Sequence, residues 1–166
     1  MGEVETWVII DEAPDYSVSD LGRVRNDHSG RLLTATSTVR GGPKVGLVID
    51  GVATSRLVKN LVAEQFVPGE TDLFDTAINM DGNKMNCEAA NLVWRPRWYA
   101  ILYARQFNES YPNAGRGPIR NIDEDITYEN VYEASVANGL LFRDVFSGCL
   151  DGEPVFPDWH CYEWLH

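Results

Sequence analysis

Two adjacent residues, Asp50 and Gly51, constrain this chain more than any others. They separate the apolar runs Val45 to Ile49 and Val52 to Thr54, and both tolerate a positive φ. A two-residue loop of that kind twists in the sense its flanking strands require, so the segment is expected to form an antiparallel hairpin. The residues before it also read as short strands. Thr6 to Ile10 is an apolar run, and Tyr16 to Ser19 alternates with period two. Glu12-Ala13-Pro14-Asp15 is expected to turn between them. Leu21 to Arg25 leads to a second turn at Asp27 to Gly30, after which Arg31-Leu32-Leu33 is expected to open another strand.

From residue 55 the period changes. Ser55 is expected to cap a helix running to about Val67, with Leu57, Val58, Leu61, Val62 and Phe66 on one face and Pro68-Gly69 as its stop. A strand ending near Met80, a loop at Asp81-Gly82-Asn83, a strand at Leu92 to Trp94 and a helix opening at Pro96 follow. Trp98, Ile101, Leu102 and Arg105 recur at helical spacing. Ser110 to Pro118, rich in Gly and Pro, reads as a linker. Beyond it lie a strand at Ile119 to Ile122, a helix from Tyr128 to Asn138 closed by Gly139, a helix from Leu141 to Leu150 closed by Asp151-Gly152, and a strand from Trp159 to Trp164. The expectation is an α+β chain: a small β-rich domain at 1–54, a mixed core at 55–109, a linker at 110–118 and a small helical module at 119–166.

An apolar fraction of 44% excludes a disordered chain. No apolar run approaches the ~18 residues of a membrane span, so no membrane partner is expected. Cys87, Cys149 and Cys161 are odd in number and too far apart for a disulfide framework or a zinc knuckle, which favours small core residues. With an acidic rather than basic start at Glu3 and Glu5, an intracellular protein is expected. The net charge of −11 is uneven: −5 over residues 1–75, +2 over 76–118 and −8 over 119–166. Gripping DNA requires Lys and Arg to replace phosphate counterions, and only the middle third has them in excess.

Specific motifs add to this. Trp7, Ile10, Tyr16, Val18, Ser19, Gly22, Arg23, Val24 and Arg25 fit the pattern W-x-x-I, Y-x-V-S-x-x-G-R-V-R. That pattern resembles the modular domain preceding HNH nucleases in phage homing enzymes. Val58 to Phe66, Ile78 to Asn86 and Asn91 to Trp94 resemble the HNH domain of the same family, including D-G-N-K-x-N at Asp81 to Asn86. Tyr128, Val131, Glu133, Ala134, Gly139, Leu150, Gly152, Tyr162 and Trp164 resemble the small helix-turn-helix module often appended to those nucleases. The resemblance implies a ββα-metal (HNH, His-Me finger) core between a nuclease-associated module and a helix-turn-helix-like module, in a phage protein of the host cytoplasm.

It also implies where chemistry should sit. Such an enzyme uses one divalent ion, held by hard oxygen ligands, and a neutral imidazole that takes a proton from the attacking water. Registered on Asp81-Gly82, the pattern puts the first ligand at Ile78, the base at Asn79, the second ligand at Ala100 and the histidine of its V-H pair at Lys59. None of these side chains can do that work, since an amide accepts no proton near neutral pH. A slip of one residue would make Asn79 a ligand and still leave Met80 where the base belongs. Asp81, Asn83, Asn86 and Asn91 remain as oxygen donors, and loop capping is their simpler use.

Two further expectations come from charge. The second helix of the last module offers Arg143, Asp144, Phe142 and Phe146 where a DNA reader would offer Arg, Lys, Asn or Gln. Around it stand Asp123, Glu124, Asp125, Asp151, Glu153 and Asp158. That surface would repel a duplex and suit a basic protein. The expectation is a pseudoenzyme reused as a DNA-mimicking inhibitor, with no cofactor, whose partner is a nucleic-acid-binding protein of the host or a competitor. Two rivals stay open. One is a working homing endonuclease using Mg²⁺ or Mn²⁺. The other is a DNA-binding regulator contacting phosphates through Lys84, Arg95, Arg97 and Arg105, with Trp94 or Trp98 stacking or packing.

Overall fold

The computed structural model describes residues 4–38, 41–111 and 117–166. The chain forms two compact units, Met1–Arg97 and Trp98–His166. Their boundary crosses the segment expected as one HNH-like core. Of the expected linker, residues 112–116 lie outside the described residues.

The first unit begins with an antiparallel sheet of β1 (Trp7–Ile10), β2 (Ala13–Ser19) and β3 (Val24–Asn26), ordered β1-β2-β3. A second antiparallel sheet holds β4 (Thr36–Thr38), β5 (Gly42–Ile49) and β6 (Val52–Leu57). The expected hairpin joins β5 to β6, with Ile49 opposite Val52 and positive φ at both Asp50 (49°) and Gly51 (77°). Val45 and Leu47 point into the core, while the alternating Gly46 and Val48 are exposed. Helix α1 (Val58–Phe66) buries Val58, Leu61, Val62 and Ala63 in the same core, beside Ile10, Tyr16, Val18, Leu92 and Trp94. Each large apolar side chain so buried stabilises the unit by about 1.5–3 kcal/mol. The two aromatic polar ends in this core find partners. Tyr16 Oη accepts from the Val48 amide, and Trp94 Nε1 donates to the Val67 carbonyl just past α1.

The pair β7 (Thr76–Asn79) and β8 (Leu92–Arg95), with a single 3-10 turn at Ala89–Asn91, completes the unit. Two glycines set how closely the loop between these strands can lie. Gly22 has φ +82°, and a Cβ on it would stand 3.2 Å from Cys87 Cβ. Gly42 has φ +80°, and its Cβ would stand 2.9 Å from the Lys84 carbonyl. Any side chain there is both strained and obstructed.

The second unit starts with α2 (Arg97–Gln106). A small antiparallel sheet follows, ordered β10-β9-β11, from β9 (Ile119–Asn121), β10 (Ile126–Tyr128) and β11 (Tyr162–Trp164). Between its strands run α3 (Val131–Asn138) and α4 (Phe142–Asp151). Asn130 caps α3 by accepting from the Glu133 amide, and Gly139 ends it at φ 62°. The first amides of α4 have no cap from their own segment. Leu141 N donates to Tyr99 Oη and Phe142 N to Gln106 Oε1, so α2 supplies the cap. The fold is α+β, with small sheets and four α-helices among the described residues. None of those helices is long and apolar enough to cross a membrane.

Several local expectations fail for tertiary reasons. Ser55 caps nothing: it lies in β6 opposite Gly46, and α1 starts from Leu57 without a side-chain cap. Ala13, Pro14 and Asp15 belong to β2, and the turn is tightened to Asp11 and Glu12. Arg31 to Leu33 contributes one bridge, Leu32 to Arg25, and no strand. Tyr128 ends β10 instead of opening α3, and Trp159 stands in a turn before β11.

Candidate functional site

Three of the four positions that the family pattern marks lie in the first unit. In the β7–β8 ladder Ile78 faces Val93 and Asn79 faces Leu92. Both side chains are buried. Asn79 Nδ2 donates to the Asn86 carbonyl at 2.8 Å, which orients the amide. Lys59, in the first turn of α1, is half-buried. Burial holds its ammonium below the usual lysine range, with Lys84 adding repulsion and Cys87 opposing the shift. Burial also pushes the Cys87 thiol up, against the pull of Lys59. Ala100 lies in α2 of the second unit. Together Ile78, Asn79 and Ala100 offer one hard donor atom, the Asn79 side-chain oxygen, and no base. That set does not fit a divalent ion, which needs several oxygen ligands. Among the described residues no three His, Cys, Asp or Glu side chains gather where they could hold one.

The oxygen donors of the D-G-N-K-x-N loop are used on one another. Asp81 Oδ1 accepts from the Asn83 amide and from Asn91 Nδ2, and its Oδ2 accepts from Asn86 Nδ2, all within 2.9 Å. Asn91 Oδ1 accepts from the Asp81 amide and Asn83 Oδ1 from the Met85 amide. Partial burial alone would raise the Asp81 carboxyl. The hydrogen bonds from Asn86, Asn83 and Asn91 outweigh it and hold the group below the usual carboxylate range. These side chains build the loop.

The arginines are similarly engaged. Arg23 and Arg25 of the N-terminal motif lie over the Trp7 ring, at 5.6 and 4.5 Å from its centre, and pair with Glu5 and Asp27. Arg56 pairs with Glu12 and Glu64. Arg95, expected as a phosphate contact, is buried and donates to the Trp94 carbonyl. Trp94 is likewise core. Lys84, Arg97 and Arg105 are exposed.

In the second unit the expected acidic residues separate into two kinds. Asp123 Oδ2 accepts from the Cys161 amide, Glu124 Oε2 accepts from Asn121 Nδ2, and Asp144 pairs with Arg143 at 3.2 Å. Asp125 lies 3.5 Å from Arg120 and is otherwise open, and Asp158 is half-buried. Asp151 and Glu153 are exposed and make no hydrogen bond or ion pair with other described residues. The aromatic anchors expected on α4 are not free. Phe142 stacks on Tyr111 at 4.1 Å and on Phe146 at 6.1 Å, and Phe146 meets the edge of Trp164. Their spacing, with Val145 and Cys149, is the apolar stripe of a packed helix, and that signal was readable. Burial and the neighbouring Glu109 push the Tyr111 phenol up to about 12. The exposed aromatics are Trp98 and Trp159, joined through Phe156. The sequence pattern places Trp98 on a helix, to stack on DNA or to pack, and Trp159 at the start of a strand; no local pattern announces the φ of 59° at Trp159.

Known proteins resemble this chain in motif, sequence and fold. Residues 5–47 match the NUMOD4 motif. An uncharacterized HNH endonuclease of Acanthamoeba polyphaga mimivirus is 27% identical over 155 residues, covering 89% of this chain and 44% of that protein. The chain thus spans less than half the length of the curated relative it matches. A solved structure, described as DNA binding and cleavage by the HNH homing endonuclease I-HmuI, shares the fold with a TM-score of 0.56 at 23% identity, over 96% of this chain and 98% of that one. By motif, sequence and fold, this chain is similar to HNH endonucleases.

Proposed function

We propose that this chain has kept the HNH fold without its hydrolytic chemistry and works as a binding protein. In this reading its acidic second unit occupies the basic nucleic-acid site of another protein, such as a polymerase or nuclease of a host or competitor, and inhibits it. The observation that carries the proposal is the side-chain set Ile78, Asn79 and Ala100, which supplies neither a base nor the ligands of a divalent ion. Charge supports it. Residues 119–166 carry ten acidic and two basic side chains, and both of those arginines lie at ion-pair distance from carboxylates.

Purified protein incubated with supercoiled plasmid in Mg²⁺ or Mn²⁺ should leave the plasmid intact. Dose-dependent nicking that chelation abolishes would overturn the proposal and restore the endonuclease. Added to a basic DNA-binding protein carrying a fluorescent duplex, the chain should displace the duplex. Its own affinity for random duplex at physiological salt should be no better than the ~10⁻⁴–10⁻⁶ M of non-specific binders. A nanomolar gel shift would favour the DNA-binding regulator.

A further inference from the structure

The three exposed or half-exposed aromatic rings of the second unit form a platform. Trp98 is 52% exposed and lies nearly parallel to Phe156, with ring centres 5.8 Å apart and planes 19° apart. Trp159 is 64% exposed and meets Phe156 edge-on at 5.7 Å. From below, the fully buried Tyr99 touches both Trp98 and Phe156 and fixes their positions. Phe156 also lines an open groove of about 220 Å³, together with Asp144, Ser147, Gly148, Asp151, Glu153 and Pro154. Gly148 lets the segment 153–155 approach the helix there, since a Cβ on it would stand 2.7 Å from Val155 Cγ2. Apolar π-faces and two uncommitted carboxylates, Asp151 and Glu153, thus share one residue as their boundary.

We infer that this platform and groove accept an arginine side chain from a protein partner. A guanidinium is planar, weakly hydrated and permanently charged. It stacks flat on aromatic faces while its forked edge donates to carboxylates, a planar combination that a lysine ammonium lacks. A single-stranded nucleic acid could stack on the same rings but needs nearby cations for its phosphates. The charged side chains lining this groove are Asp144, Asp151 and Glu153, and no basic side chain lines it. Complementarity therefore selects the cation. The site rests on the binding reading above and deepens it, placing the aromatic anchor at Trp98 and Trp159 instead of on α4.

The test uses the full chain and three probes: a short Arg-Gly peptide, the matched Lys-Gly peptide and a short pyrimidine oligonucleotide, each titrated by tryptophan fluorescence. The arginine peptide should bind about ten-fold tighter than the lysine peptide, and the oligonucleotide weakest. Trp159→Ala should weaken arginine-peptide binding about ten-fold. Trp159→Gly, which suits the left-handed backbone, should do the same without strain, and Trp159→Phe should retain most of the affinity. Asp151→Asn with Glu153→Gln should weaken binding and flatten its salt dependence. Equal affinity for the two peptides, binding unchanged in both Trp159→Ala and Trp159→Gly, or a preference for the oligonucleotide would overturn the site. Loss of the site with duplex displacement intact would leave the binding reading standing, whereas plasmid nicking would reject that reading whatever the peptides do.

Discussion

The 81–91 loop of the first unit and the groove of the second are both crowded with polar side chains, and they use them in opposite ways. In the loop, Asp81, Asn83, Asn86 and Asn91 satisfy one another and the backbone around them. In the groove, Asp151 and Glu153 satisfy nothing on the described chain. Polar residues at a family's active-site position can be wholly structural, while those in a segment of no marked chemistry stay open for a partner.

The sharpest way to break this comparison is Asp81→Ala. It removes the acceptor for the Asn83 amide and for two side-chain amides, and should cost about 1–3 kcal/mol, read by urea denaturation. The same carboxyl gives a pH signature. Its folded pKa is depressed, so its contribution is present above the usual carboxylate range and is lost as pH falls through the folded value. Acid destabilisation should therefore be shallower in Asp81→Asn than in the parent. If Asp81→Ala is as stable as the parent, the loop is not self-supporting and its donors are available for other work.

Gly148→Ala probes the groove wall and should cost less. The helix gains about 1 kcal/mol of propensity, but the new Cβ meets Val155 Cγ2 at 2.7 Å and the Glu153 carbonyl at 3.1 Å. Overpacking of that kind costs about 1–3 kcal/mol, so a modest net loss is expected in thermal melting. Asp151→Asn with Glu153→Gln should change stability by less than about 0.5 kcal/mol, as groups without partners do. A larger loss would mean that these carboxylates support the fold as Asp81 does. Smallest of all, Ser55→Ala should be silent within a few tenths of a kcal/mol, where a true cap would cost about 1.

What the sequence made legible was the local chemistry of turns and ends. Asp50-Gly51 specified a hairpin and its register, and Gly139 and Gly152 took the left-handed conformation at the ends of α3 and α4. The N-terminal motif was also readable, because Trp7, Tyr16, Gly22 and Arg23 to Arg25 stand at fixed spacings. What failed depended on partners distant in sequence. Ser55 is a good cap by type, but pairing with Gly46 draws it into a strand. Tyr128 pairs with Ile119 and so leaves the helix it was expected to open. Arg95 reads as a surface cation and is buried beside its own strand's carbonyl. At the candidate site the positions of Ile78 and Asn79 were readable, whereas the platform of Trp98, Phe156 and Trp159 joins residues some sixty apart and had no local sign.

The close approaches at Gly22 and Gly42 have a consequence for how such chains can be recombined. Both glycines come from the segment around the NUMOD4 motif, and both press on the loop between β7 and β8, at Cys87 and Lys84. The Ala89 amide adds a hydrogen bond, donating to the Asp20 carbonyl at 2.7 Å. A crossover near residue 54 would join an N-terminal segment to a loop shaped for a different one, and a single extra methyl at either contact would hold the two apart. The first ninety-odd residues therefore travel as one inheritable piece, although their motifs read as two.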